Sequence, residues 1–437
     1  KRDPRGREYV GESHEQQLRK DPTLQSFDYL IVGGGLAAAS AVAGIRSLDA
    51  EGSIAILANE SEPPYHRPPL SKEFLQTPEA TRDLLHVKPE GWFEEEAKVT
   101  LLNGVRVTSL DPKKMTIGTA ADEIYHGERI LLAMGGRPRS LAIPGTELDG
   151  VSSFRTVADA ERLRERAVEA ESALLIGAGF IGMELAASLT RYDVASTIVE
   201  RESRVWSEML PPVLSYFVQG YFEERGIRFE LDAEVEDLLG SERLEGARLA
   251  NGTQVACDLA VIGVGLRPNE EIAGEAGLAV MDGVIVDRFG ETSHGHIYAT
   301  GDLARFPDSV FGDTPRLEHW DHARTHGKVT GRNMAGAGEP FDHVSYFYSD
   351  VFDLGFSVLG RPAGADDVRV LGELSSERSI VVCGQNGKLT GVVLINATDR
   401  LEACRELVRE RPSMDEAYEK LEETESELGH VTSQTHA

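Results

Sequence analysis

The chain has 437 residues and a net charge of −28, with 41% hydrophobic and 27% charged residues; at roughly 100–200 residues per domain this suits two or three globular domains whose cores need no disulfide staples. The acidic balance argues against nucleic-acid and anionic-membrane partners, and no apolar run reaches the roughly 18 residues of a membrane span. Three cysteines, Cys257, Cys383 and Cys404, form no CxxC, so a disulfide framework and a structural zinc site are not expected and a reducing compartment is.

Residues 1–26 are polar, rich in Arg, Glu and Gln, and are expected to form an arm or a loosely docked extension. The pattern changes at Phe27. Tyr29-Leu30-Ile31-Val32 is a short apolar run ending in Gly33-Gly34-Gly35, the form of a strand buried on both faces of a parallel sheet. Ala37 to Ile45 reads as a helix lined with small residues, and Ser53 to Ala58 as the next strand, which completes a βαβ unit. Gly33-Gly34-Gly35-Leu36-Ala37-Ala38 fits G-x-G-x-x-A. Gly33 permits the tight turn, Gly35 lets the backbone approach a pyrophosphate, and Ala38 lets the helix pack close to the sheet. The helix opened by Leu36 and Ala37 offers its unpaired N–H groups to the phosphates. Glu60, just past the second strand, can accept hydrogen bonds from an adenosine ribose. A Gly-rich turn alone often only joins strand to helix; here the strand before it, the helix after it and the acid beyond favour the nucleotide reading.

Further on, Val105–Val107 and Met115–Ile117 read as a small antiparallel excursion, and Arg129–Ala133 returns to a buried sheet. A second unit follows. Ala173-Leu174-Leu175-Ile176 runs into Gly177-Ala178-Gly179, a helix covers Ile181 to about Arg191, and Ala195–Val199 is the next strand. Gly177-Ala178-Gly179-Phe180-Ile181-Gly182 fits the full G-x-G-x-x-G. Glu200 ends the strand, and an acid there binds a free 2′-hydroxyl and repels a 2′-phosphate, which favours NADH over NADPH. Arg201 and Arg204 lie close enough to hold such a phosphate. Two nucleotide folds imply two dinucleotides; a nicotinamide donor needs one, and the other suits a bound flavin that takes hydride and releases single electrons. Leu259–Ile262 and Ile297–Thr300 are later strands, the latter closing at Gly301-Asp302. From about Phe341 an aromatic cluster, short strands at Ser379–Val382 and Thr390–Leu394 and a helix near Arg400–Glu410 read as an α+β domain. The end, from about Glu422, is acidic and polar.

The stretch Pro64-Tyr65-His66-Arg67-Pro68-Pro69-Leu70-Ser71-Lys72 resembles the flavin-domain signature of the ferredoxin-reductase branch, with apoptosis-inducing-factor-like proteins, of the FAD- and NAD(P)-dependent pyridine nucleotide oxidoreductases. Ala133-Met134-Gly135-Gly136-Arg137-Pro138 resembles that family's A-T-G-x-x-P turn, with Met134 in place of the usual Thr. Ala299-Thr300-Gly301-Asp302 resembles its second flavin motif, in which the Asp binds the ribityl chain. Glu318-His319-Trp320 and Phe347-Tyr348-Ser349-Asp350 resemble segments that line the flavin, Tyr348 standing where Trp is common. The motifs occur in the family's order between about Phe27 and Arg411.

The resemblance implies FAD contacts from Glu60, Arg67 and Lys72, flavin motifs at Ala133, Gly135 and Arg137 and at Gly301 and Asp302, a place for Phe180 and Glu184 beside the flavin, and further cofactor contacts from Val107, Ile181 and Gly265. Lys72 would sit near the isoalloxazine with Glu184 as its partner, a cation that stabilises negative charge on the ring and a carboxylate that moderates it. Without the surrounding motif these would read as a surface Lys and a helix-face Glu. Phe180 lies against the flavin where nicotinamide enters, or only packs a helix start; His319 and Trp320 cap the flavin's other side, or Trp320 packs a domain interface. Relatives with disulfide chemistry place a redox Cys in the first domain, where this chain has none before Cys257. His319, His322 and His326 have helical spacing, but no HExxH is present and a non-metal reading is favoured.

The expected fold is α/β: two doubly wound Rossmann-type nucleotide domains plus a C-terminal α+β domain. The expected boundaries are 1–26 for the arm, 27–148 and 272–340 for the FAD domain, 149–271 for the inserted NAD(H) domain, and 341–437 for the C-terminal domain with its acidic tail. The expected activity is hydride transfer from NADH to N5 of FAD, then electrons to a carrier such as ferredoxin or rubredoxin. Alternatives are slow turnover of the apoptosis-inducing-factor kind, a quinone or other small-molecule acceptor, or a redox-responsive scaffold. Many ferredoxins are acidic, so docking one needs a local basic patch. A homodimer is expected by analogy. The setting is expected to be cytoplasmic, or an organelle lumen if a targeting peptide preceded Lys1.

Overall fold

The computed structural model describes residues 24–375 and 378–423. The arm read over 1–26 lies almost wholly outside these residues, as does nearly all of the acidic end. Its last two residues are not arm: Gln25 and Ser26 begin the first strand, Gln25–Val32, because they pair with Tyr125 and His126 and so extend the ladder past the apolar run.

That strand is the centre of a parallel sheet. Ile54–Ala58 lies on one side with Val99–Asn103 beyond it, and Ile124–Leu132 lies on the other. Ile297–Ala299 joins the far edge, parallel to Ile130–Leu132. Leu30, Ile31 and Val32 are buried on both faces, which is why the run shows no alternation. The antiparallel excursion is present but shifted along the chain, to Val107–Asp111 and Thr116–Thr119. Its turn is set by Asp111, whose side chain accepts from the backbone of Lys113 and Lys114, while Gly104, at φ +74°, turns the chain before Val105.

The helix Leu36–Arg46 is apolar almost all round, as a helix covered on two sides must be. One side packs on the sheet. The other meets the helix Trp320–Met334 backbone to backbone: a Cβ on Gly44 would strike the carbonyl of Lys328, on Gly327 that of Ala37, and on Gly331 that of Ala41.

The second unit repeats the plan. Its sheet runs in the order Arg228–Glu230, Ala195–Val199, Ser172–Ile176, Leu259–Ile262 and Val151–Ser153, all parallel. An antiparallel three-strand layer, Val235–Gly240, Leu244–Leu249 and Gln254–Ala256, backs it. The chain leaves the first unit through Gly136–Pro138 and returns through Leu266–Pro268, and these two crossings pair as an antiparallel ribbon.

The third unit is a five-stranded antiparallel sheet ordered Tyr346–Val351, Leu354–Gly360, Lys388–Ile395, Ser379–Gln385, Asp367–Gly372. The amphipathic helix Leu401–Glu410 buries Cys404, Leu407 and Val408 against it. Arg405 on this helix reaches Asp321 at the start of Trp320–Met334 (3.4 Å), and His343 Nε2 lies 2.6 Å from the same carboxylate. The third unit is thus tied by a buried ionic group to the helix that borders the cleft described next.

Candidate dinucleotide cleft

Both glycine loops are built as their spacing requires. Gly33 and Gly177 have φ of +118° and +106°, and a Cβ on either would run into a neighbouring carbonyl, Ala133 or Gly263. A Cβ on Gly182 would strike the carbonyl of Gly177. Gly35 and Gly179 differ: a Cβ there would meet nothing within 4 Å. Each is the N-cap of its helix, and neither helix has a side-chain cap. The first-turn N–H groups therefore face open space, ready for an anion.

The open space is one continuous cleft of about 1180 Å³. It is lined by Gly33, Gly35, Leu36 and Ala37 of the first loop, by Glu60, Arg67 and Lys72, by Val107, Ala133, Gly135 and Arg137, by Gly179, Phe180, Ile181 and Glu184 of the second loop, and by Gly265, Asp302, His319, Trp320 and Tyr348. Five expected residues do not line it. Ala38, Gly177, Gly182 and Gly301 sit behind the wall, where their small size lets backbones approach; at Gly301 (φ +65°) a Cβ would come within 2.8 Å of the Ala37 Cβ. Glu200, the fifth, turns to the backbone around the second loop, its carboxylate accepting from the N–H of Ala178 (2.6 Å) and of Glu202 (3.0 Å).

Polar groups in the cleft are pre-oriented. Glu60 accepts from Tyr65 Oη and Arg67 Nη2, both at 2.6 Å. Burial opposes its charge, yet Arg67 and the Tyr65 hydroxyl hold its carboxyl below the usual range. Arg155 pairs with Asp302 at 3.0 Å. Arg155 Nε, Thr300 Oγ1 and His319 Nδ1 are buried with no partner, although each belongs to a residue of the cleft wall. Buried polar atoms are rarely left so. Three orphans around one cavity, with two uncapped helix ends and the oriented carboxylate of Glu60, fit a dinucleotide such as FAD. Burial also drives the His319 imidazole down to about 4, so it is neutral at pH 7.

Lys72 Nζ forms an ion pair with Glu184 Oε1 at 2.8 Å and donates to the Pro68 carbonyl at 3.3 Å, and both charged side chains are buried. Lys72 also lies 5.5 Å from the centre of the Tyr348 ring. The Phe180 ring is held between Phe347 (4.6 Å) and Trp206 (5.6 Å). Trp320 Nε1 donates to His66 Nδ1 at 3.0 Å and its ring meets Tyr348 edge-on. Arg137 is at the rim, paired with Glu271 at 2.5 Å.

Arg155 lies in this wall outside every motif quoted from the sequence, whereas Tyr65, Ser71, Phe347 and Ser349 lie inside quoted motifs that gave them no individual role. Arg155 had a local signal: it precedes Thr156, the N-cap of a capping box with Asp159 that opens the helix Val157–Ala167, so its backbone is fixed by a readable motif. The serines had only their place inside the quoted motifs, which assigns neither of them a partner.

The model of the pyridine nucleotide-disulphide oxidoreductase family matches residues 27–327, and that of a reductase C-terminal domain matches 346–429. A rubredoxin-NAD(+) reductase of Ectopseudomonas oleovorans is 33% identical over 76% of this chain and 86% of its own length. Among solved structures, the ferredoxin reductase for the CYP199A2 system of Rhodopseudomonas palustris has a TM-score of 0.82 at 32% identity, covering 86% of this chain and 93% of that one. The putidaredoxin reductase of a covalent putidaredoxin complex has a TM-score of 0.84 at 26% identity, covering 88% and 93%. Among the described residues, no helix is long and apolar enough to cross a membrane.

Proposed function

The chain belongs to the pyridine nucleotide-disulphide oxidoreductase family, and on that premise we propose that it is an FAD-dependent NADH reductase that hands electrons to a small carrier protein of the ferredoxin or rubredoxin kind. One observation supports this above the others: two glycine loops, each heading an uncapped helix, open into a single cleft. A protein that used one dinucleotide would need one such loop. The carrier is read from relatives named for rubredoxin and for a covalent complex with putidaredoxin. Despite the family's name, thiol–disulfide exchange is not part of the proposal. No cysteine lines the cleft among the described residues, and burial pushes the thiols of Cys257 and Cys383 up to about 12, far from the low values of reactive cysteines.

FAD, when bound, supplies a ring that takes two electrons together from a nicotinamide and gives them up singly. The rest is the work of this chain. The loop around Gly35 and the guanidinium of Arg155 would hold the FAD pyrophosphate, and Glu60, oriented by Tyr65 and Arg67, would accept from its ribose. Lys72 sets a positive charge in the cleft, and Glu184 limits how much of it is felt. Glu200 selects the nicotinamide cofactor lacking a 2′-phosphate. Phe180, in the cleft wall between Phe347 and Trp206, would shield a bound flavin from water on the side of the second loop. Assigning residues 27–148 and 272–340 to FAD, 149–271 to NADH and the remainder from 341 to support of the cleft follows the same reading. A reducing, cytoplasmic setting suits the three buried cysteines; a homodimer is a separate expectation, decided by sedimentation.

The test is anaerobic mixing of the purified protein with NADH, followed by steady-state turnover with purified carriers. Rapid bleaching of the flavin band and NADH oxidation that depends on a ferredoxin or rubredoxin support the proposal. Turnover with quinones and with no iron–sulfur carrier would overturn the acceptor, and a protein that cannot be loaded with FAD would overturn the whole reading.

A further inference from the structure

Glu184 is held by all three units of the molecule. It lies in the helix Phe180–Leu189 of the second unit, 4% exposed. From the first unit, Lys72 Nζ reaches Oε1 at 2.8 Å and Ser71 Oγ donates to Oε2 at 2.5 Å. From the third, Ser349 Oγ donates to Oε1 at 2.7 Å. Ser349 is fully buried in the edge strand Tyr346–Val351 and pairs in register with Phe356. A buried carboxylate needs its lone pairs filled, and here two hydroxyls fill what the ammonium leaves. Tyr348, beneath Lys72, and Asp350 are the titratable neighbours on the same strand. Burial raises the Asp350 carboxyl, against the pull of Lys72.

We propose that Ser349 is a positioning residue for the redox step: its hydroxyl shares Glu184 Oε1 with Lys72 and so sets how much of the lysine's charge is left for the ring of the bound flavin. This rests on the reading of Lys72 and Glu184 as the charge pair of the cleft. While Ser349 donates, Oε1 divides its negative charge between two partners, and the ammonium is only partly neutralised. Without the hydroxyl, Oε1 is left to Lys72 alone. The pair closes on itself, less positive potential reaches the ring, and the flavin becomes harder to reduce. The third unit thereby acts on the cofactor's potential through one atom, whatever else it does at its outer surface.

Signs distinguish this from packing. Removing the cation (Lys72→Met) should lower the flavin's midpoint potential. Removing the counter-charge (Glu184→Gln) should raise it. Ser349→Ala should lower it, like the lysine variant and unlike the glutamate one, although the serine touches only the glutamate. Reduction by NADH should slow about tenfold, on the scale of one charge-assisted hydrogen bond, with the KM for NADH unchanged. The experiment is potentiometric titration of the flavin-loaded wild type and variants, with Ser349→Thr as the rescue that keeps the hydroxyl. Ser349→Cys, close in size and a weak donor, replaces Ser349→Ala if that protein does not fold. A fall in potential with Ser349→Ala or Ser349→Cys and its restoration with Ser349→Thr support the inference. Wild-type potential in the alanine and cysteine variants, while Lys72→Met lowers it, overturns the inference alone. No change with Lys72→Met or Glu184→Gln overturns the charge-pair reading and the inference with it.

Discussion

Glu200 turns its carboxylate back onto the second glycine loop, accepting from Ala178 and Glu202, and the two arginines that follow it are engaged elsewhere. Arg201 pairs with Glu202 at 3.4 Å and Arg204 donates to Ser215 at 3.2 Å. A 2′-phosphate would meet an oriented acid, beside arginines in contact with Glu202 and Ser215. Glu200→Ala should therefore reduce the preference for NADH over NADPH about tenfold in kcat/KM, the scale of one lost hydrogen bond to a charged group together with relief of repulsion. Steady-state kinetics with ferricyanide as acceptor measures the ratio directly, and an unchanged ratio would remove Glu200 from the specificity site. This residue was legible because it closes a strand that follows a glycine loop. Lys72 was legible inside a contiguous motif. Ser71 and Ser349 lay inside quoted motifs too, but nothing in those motifs pointed to the carboxylate that they share with Lys72. Their partner is distant in sequence, and serine carries no periodic signature of burial. Met134 shows the converse: the expected hydroxyl is gone, yet its backbone carbonyl still accepts from Asn269 at 2.9 Å.

Elements were legible in proportion to their burial. Runs such as Leu30–Val32 and Leu174–Ile176, buried on both faces, announce themselves without alternation. Val151–Ser153 and Arg228–Glu230 do not, because they are short and largely half-exposed sheet edges. The close crossing of Leu36–Arg46 with Trp320–Met334 had a signal that went unread, glycines four apart at Gly327 and Gly331. Four residues place both on one helix face, and both sit against carbonyls of the facing helix. Gly331→Ala should cost about 1–3 kcal/mol, since a methyl there forces the helices apart. Gly220→Ala is the control. It lies inside the helix Pro212–Glu223, and a methyl there would meet nothing within 4 Å, so it should be neutral or stabilising by up to about 1 kcal/mol. The melting temperature should fall for Gly331→Ala and hold or rise for Gly220→Ala; similar falls in both would mean that the crossing is not what fixes glycine at Gly331.

At the scale of the whole molecule, the units are joined by buried charge and buried imidazole, and the two respond to acid in different ranges. Asp321 is 1% exposed and shares its carboxylate between His343 and Arg405. Burial opposes its charge, but His343 and Arg405 hold the carboxyl below its usual range, so its contribution persists above about pH 4 and is lost only on further acidification. His322 and His326 act sooner. They stack with Phe306 and Phe341 in the interior, with His326 unpartnered at both ring nitrogens and His322 at Nε2. Burial lowers both, His326 to about 3, so the folded protein keeps them neutral while the unfolded chain takes up protons below about pH 6.5. The unfolded state then binds more protons, and stability must fall as pH falls through that range. Between pH 7 and 5 the loss is about 2 kcal/mol for His326 alone. Melting temperatures across that interval should drop steeply in the wild type and flatten in a His322→Asn, His326→Gln double variant, whose amides do not titrate. An equal slope in both proteins would mean that these imidazoles find proton acceptors when acidified, and that the acid response of the fold originates at another buried group.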